Sequence, residues 1–265
     1  MATPTYPGTG ISDAQRAAFD RDGYIIIRDA LSKNEIGALL EAGERAQERW
    51  LADPDRKGSD NPFLRRVEPL IEYDDAFVEL LDHPGYFPVI RELLGDGIAI
   101  IDTAYFVSPP GQGWGSTSEW HIDEALTGPD GAPIPLFAKV TIPLVDIADI
   151  DDGPTAVVPG SHALSYNDIL PDPQDPRDMP GKVPILVPAG DVYIFHGRVH
   201  HAAMPNVGSQ TRRVLHYNYG HIWMKPWPGH YPSERLQKSA YSAIRKQLLH
   251  VSDNHYQDRL TDVTY

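Results

Sequence analysis

The segment SEWHIDEAL, at residues 118–126, places a histidine and an aspartate two positions apart. If this segment is a β-strand, residues i and i+2 point to the same face, so the side chains of His121 and Asp123 converge on one point. An imidazole and a carboxylate are both common metal ligands. The spacing therefore predicts part of a metal site. Because a single H-x-D pair is a weak signal, the rest of the chain must decide whether the site exists.

A third ligand must come from another segment, since two ligands from one strand cover only part of a coordination sphere. Two histidines and one carboxylate on one face of a metal form the arrangement of non-haem Fe(II) oxygenases, which leaves other positions open. Arg212 and Arg213 follow the turn PNVGSQ, and a guanidinium there could bind a co-substrate carboxylate through two parallel hydrogen bonds. Spacing alone does not choose among five histidines for the third ligand: His196, His200, His201, His216 and His221.

Composition narrows the classes of protein that these residues can serve. The chain has 265 residues, 41% of them hydrophobic, which is enough for a full core. It has no cysteine, so any metal must be held by His, Asp and Glu. The net charge of −14 argues against a nucleic-acid partner, and no run of about 18 apolar residues predicts a membrane span. The amino-terminal segment lacks the basic and apolar regions of a secretory signal, so we predict a cytoplasmic enzyme.

The elements that must position these residues change in character along the chain. The first hundred residues are predicted to be mainly helical, with Ser12 and Ser32 as N-caps and Gly23 as a stop before a short buried strand at 24–31. The segment DAFVELLDHPGYFPVIRELLG predicts two more helices, which are separated at His83-Pro84-Gly85 and end at Gly95. From Gly97 onward, five segments rich in β-branched and aromatic residues are separated by Pro and Gly turns, which indicates strands. They are GIAIIDTAYFVS, PLFAKVTIPLVDI, TAVVPG, KVPILVPAGDVYIFHG and RRVLHYNYGHIW. Helices followed by a run of strands predict an α+β fold whose functional half is an antiparallel sandwich or small barrel.

We predict a single domain over residues 1–265. Its parts are a mainly helical region at 1–96, a strand-rich core at 97–225 and a C-terminal helical segment at 226–265. Within the core, the segment LPDPQDPRDMPGK at about 170–182 carries four prolines and is interpreted as a lid-like insertion. The glycine-rich segment SPPGQGWGSTSE, just before the H-x-D pair, is interpreted as a substrate loop.

Five segments, in order along nearly the whole chain, resemble the phytanoyl-CoA dioxygenase family of Fe(II)- and 2-oxoglutarate-dependent oxygenases. They are FDRDGYIIIRDALSKNEIGAL, EWHID, DDGPTAVVPGSH, GDVYIFHGRVHHAAMPN and TRRVLHYNYGHIWMKP. Each segment is a weak signal alone, but the tetrapeptide PGSH between the two histidine segments is a specific marker. The resemblance implies a double-stranded β-helix (jelly-roll, cupin-like) core with N-terminal and flanking helices.

Position by position, the resemblance implies that His121, Asp123 and His201 are the catalytic iron ligands. Halogenating relatives carry a small residue in place of the carboxylate, which opens a position for chloride. The aspartate at 123 keeps that position occupied, so halogenation is disfavoured.

The resemblance also implies that Arg212 binds the distal carboxylate of 2-oxoglutarate. Arg213 would face the other way on a regular strand. Many members have a serine after the distal histidine whose hydroxyl assists this carboxylate, whereas Ala203 is present here. We therefore expect another group, Thr141 or Tyr105, to replace that hydroxyl.

The reaction that the resemblance implies uses Fe(II), 2-oxoglutarate and O2 and releases succinate and CO2 while an unactivated C–H bond is oxidised. Hydroxylation is expected. The alternatives are desaturation, cyclisation or epimerisation with the same cofactors, a 2-oxoglutarate-independent jelly-roll metalloenzyme, or a binding protein that retains only the fold. An acidic chain disfavours a CoA thioester, so a small secondary-metabolite intermediate is the expected substrate. The sequence leaves the choice between monomer and dimer open.

Overall fold

A computed structural model describes residues 10–111, 119–124, 136–164, 171 and 173–251. None of the helices in these ranges is long and apolar enough to cross a membrane. The α-helices are α1 (Asp13–Asp22), α2 (Lys33–Ala52), α3 (Phe87–Leu94), α4 (Glu234–Ser239) and α5 (Ala243–Leu248). The strands are β1 (Tyr24–Ile27), β2 (Lys57–Asn61), β3 (Leu64–Glu68), β4 (Ile98–Ser108), β5 (Phe137–Pro143), β6 (Thr155–Val157), β7 (Val183–Pro184), β8 (Val192–His196), β9 (His201–Ala203) and β10 (Arg212–His221).

The first two helices begin at the predicted caps. The Ser12 hydroxyl accepts a hydrogen bond from the backbone N–H of Gln15, and the Ser32 hydroxyl accepts one from Glu35. In both helices the third residue also bonds back to the cap, which completes a capping box and satisfies two free N–H groups. Gly23 ends α1 in the left-handed region at φ 80°, where glycine carries no Cβ penalty.

The strands form two antiparallel sheets. The main sheet has seven strands in the order β1-β8-β5-β10-β4-β3-β2, and the smaller sheet has three in the order β7-β6-β9. The inner faces meet where the Tyr193 hydroxyl of β8 donates to Thr155 Oγ1 of β6 at 2.8 Å. An apolar cluster that includes Val157 and Phe195 also spans the two sheets. This architecture confirms the predicted α+β fold with a jelly-roll core.

The two faces of the main sheet have different surroundings because side chains alternate along each strand. Outward-facing residues such as Tyr105 and Leu215 join the main hydrophobic core with the helices, and each such burial contributes about 1.5–3 kcal/mol. Gly43 lets helix α2 pack closely against strand β4, since a Cβ at this position would lie only 2.9 Å from the Tyr105 hydroxyl. Inward-facing residues such as Lys139 and His216 line a cavity between the sheets. The helices thus stabilise the sheet from one side and leave its other face for the site.

Three local features differ from the sequence-based expectations. The region at 1–96 contributes the β2–β3 hairpin to the main sheet, which was missed because KGSDN has no apolar alternation. The segment around His121 is an isolated bridge to His201 and not a strand. The first of two helices predicted at 75–94 is instead a pair of short 3-10 turns, Asp75–Phe77 and Glu79–Asp82.

The described part of the predicted insertion packs next to the H-x-D segment. It forms a 3-10 turn at Pro176–Asp178, and the Trp120 indole N–H donates to the Pro176 carbonyl at 3.0 Å. Met179 is buried in the same cluster as Trp120. A lid function of this insertion stays a prediction. Parts of three predicted features lie outside the described residues: 170 and 172 of the insertion, 112–118 of the glycine-rich loop and 252–265 of the C-terminal segment.

Candidate active site

Backbone hydrogen bonds bring the three candidate ligands together. The N–H of His121 donates to the carbonyl of His201 at 3.0 Å, and the reverse bond is 2.9 Å long. The N–H groups of Asp123 and Glu124 both donate to the carbonyl of Gly197, at 3.0 and 3.3 Å. These four bonds fix the H-x-D segment against the loop before β9. As a result, the centroids of the two imidazole rings lie 4.3 Å apart.

The hydrogen bonds of the two imidazoles leave the Nε2 atoms as metal donors. His121 Nδ1 lies 2.7 Å from the Glu119 carbonyl, and His201 Nδ1 lies 2.8 Å from the Val199 carbonyl. Because a carbonyl only accepts, each Nδ1 carries the hydrogen and each Nε2 presents its lone pair. Each Nε2 is 3.6 Å from an oxygen of Asp123, and the three ligand atoms lie within 4.8 Å of one another. Burial lowers the pKa of His201 to about 3, so this ring is neutral, as a ligand must be.

Asp123 is held as a carboxylate by a lysine that the sequence reasoning missed. Lys139 Nζ lies 2.5 Å from Asp123 Oδ2, and both side chains are at least nine-tenths buried. Burial alone would raise the pKa of Asp123, but the Lys139 ammonium beside it outweighs burial and holds this pKa well below its usual range. The available signal was a lone lysine in the apolar strand FAKVTIP, on the face that turns inward.

The Lys139→Met substitution is expected to destabilise the metal-free protein by about 3–5 kcal/mol, because it leaves a buried carboxylate uncompensated. Zn(II), which accepts the same donor types, should then stabilise the variant more than it stabilises the parent, since the metal replaces the missing positive charge. Urea unfolding with and without Zn(II) measures both effects. Lys225→Met, at an exposed position, is the control. Equal Zn(II) stabilisation of variant and parent would contradict the assignment of Asp123 as a ligand.

The carbonyl of Gly197 is positioned by close packing. A Cβ at this residue would lie 2.8 Å from the Phe137 ring, so Gly197→Ala must displace one of the two groups. We expect about 10–100-fold weaker metal binding, the size of effect that outer-shell changes produce. Competition with a chromophoric chelator measures this affinity. Gly37→Ala in α2, where an added methyl meets nothing within 4 Å, should leave it unchanged. An unaltered affinity for Gly197→Ala would show that the H-x-D segment does not depend on this contact.

His201 is the one of the five candidate histidines whose ligand atom groups with those of His121 and Asp123 among the described residues. The other four lie against different groups. They are His196 (Nδ1 3.7 Å from Glu124 Oε1), His200 (ring 5.9 Å from that of Trp120), His216 (ring 4.6 Å from that of Phe106) and His221 (stacked on Trp223).

The three candidate ligands open into a cavity of about 400 Å³ that Arg212 also lines. Arg212 is only 3% exposed, and its Nε has no hydrogen-bond partner in the described part of the chain. Its Nη2 lies 3.5 Å from the Thr155 hydroxyl, and no described carboxylate forms an ion pair with it. A buried guanidinium without an anion is unfavourable, so this arrangement favours a ligand that supplies a carboxylate. The cavity thus combines a three-ligand donor set with an anion-binding cation, which fits Fe(II) and 2-oxoglutarate.

Arg213, Tyr105 and Thr141 lie in different places relative to the cavity. Arg213 lies on the outward face and pairs with Glu44 at 2.8 Å, as expected from strand alternation. Tyr105 also lies on that face, with its hydroxyl 3.4 Å from Arg213 Nη1, so the prediction that it contacts 2-oxoglutarate was wrong. Thr141 is inward-facing, opposite His216, and is fully buried beyond the cavity lining. A contact from Thr141 to 2-oxoglutarate stays a prediction.

A protein-family model described as Phytanoyl-CoA dioxygenase (PhyH) matches residues 19–214 of the chain. The match covers most of the chain and extends from α1 into β10, so it includes both sheets, the candidate ligands and Arg212. The chain belongs to the phytanoyl-CoA dioxygenase family. This membership confirms the resemblance carried by the five sequence segments.

Individual relatives agree with this membership. Ectoine dioxygenase of Sphingopyxis alaskensis is 29% identical over 177 residues, covering 62% of this chain, and the chain spans about half the length of that relative (54%). The non-heme alpha ketoglutarate dependent carbocyclase SnoK from nogalamycin biosynthesis has a TM-score of 0.65 at 22% identity, with 80% of this chain and 85% of SnoK covered. HygX from Streptomyces hygroscopicus, with nickel and 2-oxoglutarate bound, has a TM-score of 0.66 at 17% identity, with 83% and 90% covered. The two structures show the same fold.

Proposed function

We propose that this protein is an Fe(II)- and 2-oxoglutarate-dependent dioxygenase that oxidises an unactivated C–H bond of a small molecule. The observation that carries the proposal is a buried guanidinium, that of Arg212, which has no carboxylate partner among the described residues and lies in the same cavity as a His/Asp/His donor set. With O2, the iron and 2-oxoglutarate supply the oxidising chemistry and leave succinate and CO2 as co-products. Family membership and the presence of nickel and 2-oxoglutarate in HygX support this assignment.

Each residue of the site has a defined task in this proposal. His121, Asp123 and His201 hold the metal, and the carbonyls behind the imidazoles keep the rings oriented. Lys139 keeps the carboxylate ionised and limits its movement. Arg212 fixes the distal carboxylate of 2-oxoglutarate through charge-assisted hydrogen bonds, which set both affinity and orientation.

Hydroxylation is the proposed outcome, and desaturation, cyclisation or epimerisation with the same cofactors is the second candidate. The structural similarity to SnoK, a carbocyclase, favours cyclisation among these three. The mass of the product separates hydroxylation, which adds one oxygen atom, from desaturation and cyclisation, which each remove two hydrogens, and from epimerisation, which leaves the mass unchanged. A 2-oxoglutarate-independent metalloenzyme is disfavoured because it leaves the buried Arg212 without an anion. A cavity of about 400 Å³ fits a small natural-product intermediate as substrate. A cytoplasmic location and a monomeric or dimeric state stay predictions from the sequence.

The test is succinate formation by the Fe(II)-loaded protein in the presence of 2-oxoglutarate, O2 and a panel of small natural products. The proposal expects succinate to accumulate with 2-oxoglutarate and to increase when a panel member is oxidised, with matched loss of that compound. Oxidation of a panel compound that proceeds equally well without 2-oxoglutarate would favour the co-substrate-independent enzyme.

A further inference from the structure

A second cluster of buried polar residues lies in the same cavity as the candidate ligands. It consists of Glu68, Asp102, Asn218 and His230, and none of the four is more than 8% exposed. Glu68 and Asp102 line the cavity itself. None of these residues has a task in the proposed metal or 2-oxoglutarate site. We call this group the acceptor cluster.

The strand register gives the separation between the acceptor cluster and Lys139, the partner of Asp123. On the inner face of the main sheet, Asp102 of β4 lies opposite Asn218 of β10, which lies opposite Lys139 of β5. Lys139 in turn contacts Asp123. Neighbouring strands are about 4.8 Å apart, so Asp102 and Lys139 are separated by about 10 Å across the sheet. A small molecule can span this distance within one cavity.

The cluster has more hydrogen-bond acceptors than donors. Asp102 Oδ2 accepts a hydrogen bond from Asn218 Nδ2 at 2.9 Å. His230 Nδ1 lies 2.9 Å from Asp102 Oδ1, and this oxygen has no hydrogen-bond partner in the described part of the chain. Glu68 Oε1 lies 2.9 Å from Arg66 Nε, and Glu68 Oε2 lies 3.8 Å from His230 Nε2, beyond hydrogen-bond distance. Asn218 Oδ1 has no hydrogen-bond partner among the described residues. A buried acceptor without a donor is unfavourable, so a ligand that supplies N–H or O–H groups would complete the cluster.

We propose that the acceptor cluster binds a hydrogen-bond donor of the substrate, an ammonium or a hydroxyl group, while the carbon that is oxidised lies at the metal end of the same cavity. This inference rests on the proposed function, because the metal site defines the oxidised carbon. The cluster therefore selects polar substrates that carry donors over substrates that carry a carboxylate or phosphate at that end.

The competing possibility is that Arg66 attracts an anion to this end of the cavity. Arg66 already gives its Nε to Glu68, and the two carboxylates of the cluster repel a third anion. Burial, which outweighs Arg66, raises the pKa of Glu68, and Asp102 contributes to the increase. This direction indicates a carboxylate that lacks stabilising donors. A substrate ammonium or hydroxyl group supplies them, and a substrate carboxylate does not.

The experiment compares three ligands that share a rigid apolar cage: 1-adamantylamine, 1-adamantanol and 1-adamantanecarboxylate. Each is titrated calorimetrically into the protein loaded with Fe(II) and 2-oxoglutarate without O2. The proposal expects the amine or the alcohol to bind about tenfold or more tightly than the carboxylate. Comparison of the amine and alcohol titrations then shows which group, ammonium or hydroxyl, the cluster prefers.

Two isosteric variants test whether the cluster causes the preference. Glu68→Gln and Asp102→Asn should each reduce it by about tenfold, because an amide replaces an acceptor with a donor. Glu44→Gln, in helix α2 on the outer side of the main sheet, is the matched control and should keep the preference. Equal or tighter binding of the carboxylate, no saturable binding of any ligand, or an unchanged preference in both cluster variants would overturn the proposal.

The design separates this proposal from the metal site. Binding of Fe(II) and 2-oxoglutarate is measured first for the parent and each variant, by the visible absorption band of the chelated keto acid. Absence of that band in the parent protein would contradict the proposed function. An intact band together with a preference for the carboxylate would contradict only the role of the acceptor cluster.

Discussion

The Asp123→Ala variant is expected to lose turnover and to bind Fe(II) more than about 100-fold more weakly than the parent. Changes to groups behind metal ligands cost about 10–100-fold, and the loss of one of three protein ligands must cost more. The loss is especially large here because Asp123 is the only anion among the three ligands and is held ionised by Lys139. Equilibrium dialysis under anaerobic conditions and succinate release measure the two effects. His201→Ala is expected to behave in the same way.

His200→Ala is the matched control, since it removes the adjacent imidazole, which lies beside Trp120 and outside the group of ligand atoms. It should keep Fe(II) binding within a few-fold of the parent value. Near-UV circular dichroism of all the variants checks that each remains folded, because Asp123→Ala also leaves Lys139 unpaired. If folded Asp123→Ala and His201→Ala both retained activity after removal and reloading of metal, the ligand assignment would be wrong.

The Arg212→Ala variant is expected to bind 2-oxoglutarate about 30- to 1000-fold more weakly. Removing one partner of a buried, hydrogen-bonded charge pair costs about 2–4 kcal/mol, and each 1.4 kcal/mol is about tenfold in Kd. Binding of Fe(II) alone should change little, because Arg212 is not a ligand. Titration of the anaerobic Fe(II) protein with 2-oxoglutarate measures the constant.

Arg213→Ala provides the neighbouring control. Its side chain faces the helices and pairs with Glu44, so 2-oxoglutarate affinity should be unchanged. Arg212→Lys should recover part of the affinity through its charge, but not the two parallel hydrogen bonds of a guanidinium. Wild-type affinity in Arg212→Ala, or a loss in Arg213→Ala instead, would reassign the carboxylate-binding role.

Local sequence rules predicted the elements that depend on neighbouring residues. The caps at Ser12 and Ser32 and the stop at Gly23 are as expected because each requires only residues within one helical turn. The long strands β4 and β10 were also predicted, since their apolar and aromatic residues have strong β-propensity. The order of helices and strands was enough to predict the fold class.

Features that depend on contacts between distant segments could not be predicted from residue spacing. Residue patterns left five histidines open as the third ligand, and only family resemblance chose His201, whose backbone pairs with His121 some eighty positions earlier. Lys139 was missed because its role depends on Asp123 in another element. The outward position of Tyr105 could not be predicted, because the faces of β4 relative to β10 follow from the strand register, which a single strand does not reveal.

The acceptor cluster was missed for a related reason. Its members come from β3, β4, β10 and the segment before α4, and no two of them lie close enough in sequence to form a motif. The hairpin that carries Glu68 has an exposed, polar edge strand, which lacks the alternation that marks a strand. Such a site can be recognised only in the structure, where the sheet brings its residues together.

Anaerobic absorption spectroscopy of the Fe(II)-loaded protein, recorded before and after addition of 2-oxoglutarate, tests the central claim most directly. We predict a visible charge-transfer band that saturates with 2-oxoglutarate and requires the protein, because the keto acid chelates iron held by His121, Asp123 and His201 next to Arg212. Bound iron without such a band at any 2-oxoglutarate concentration would contradict the proposed function.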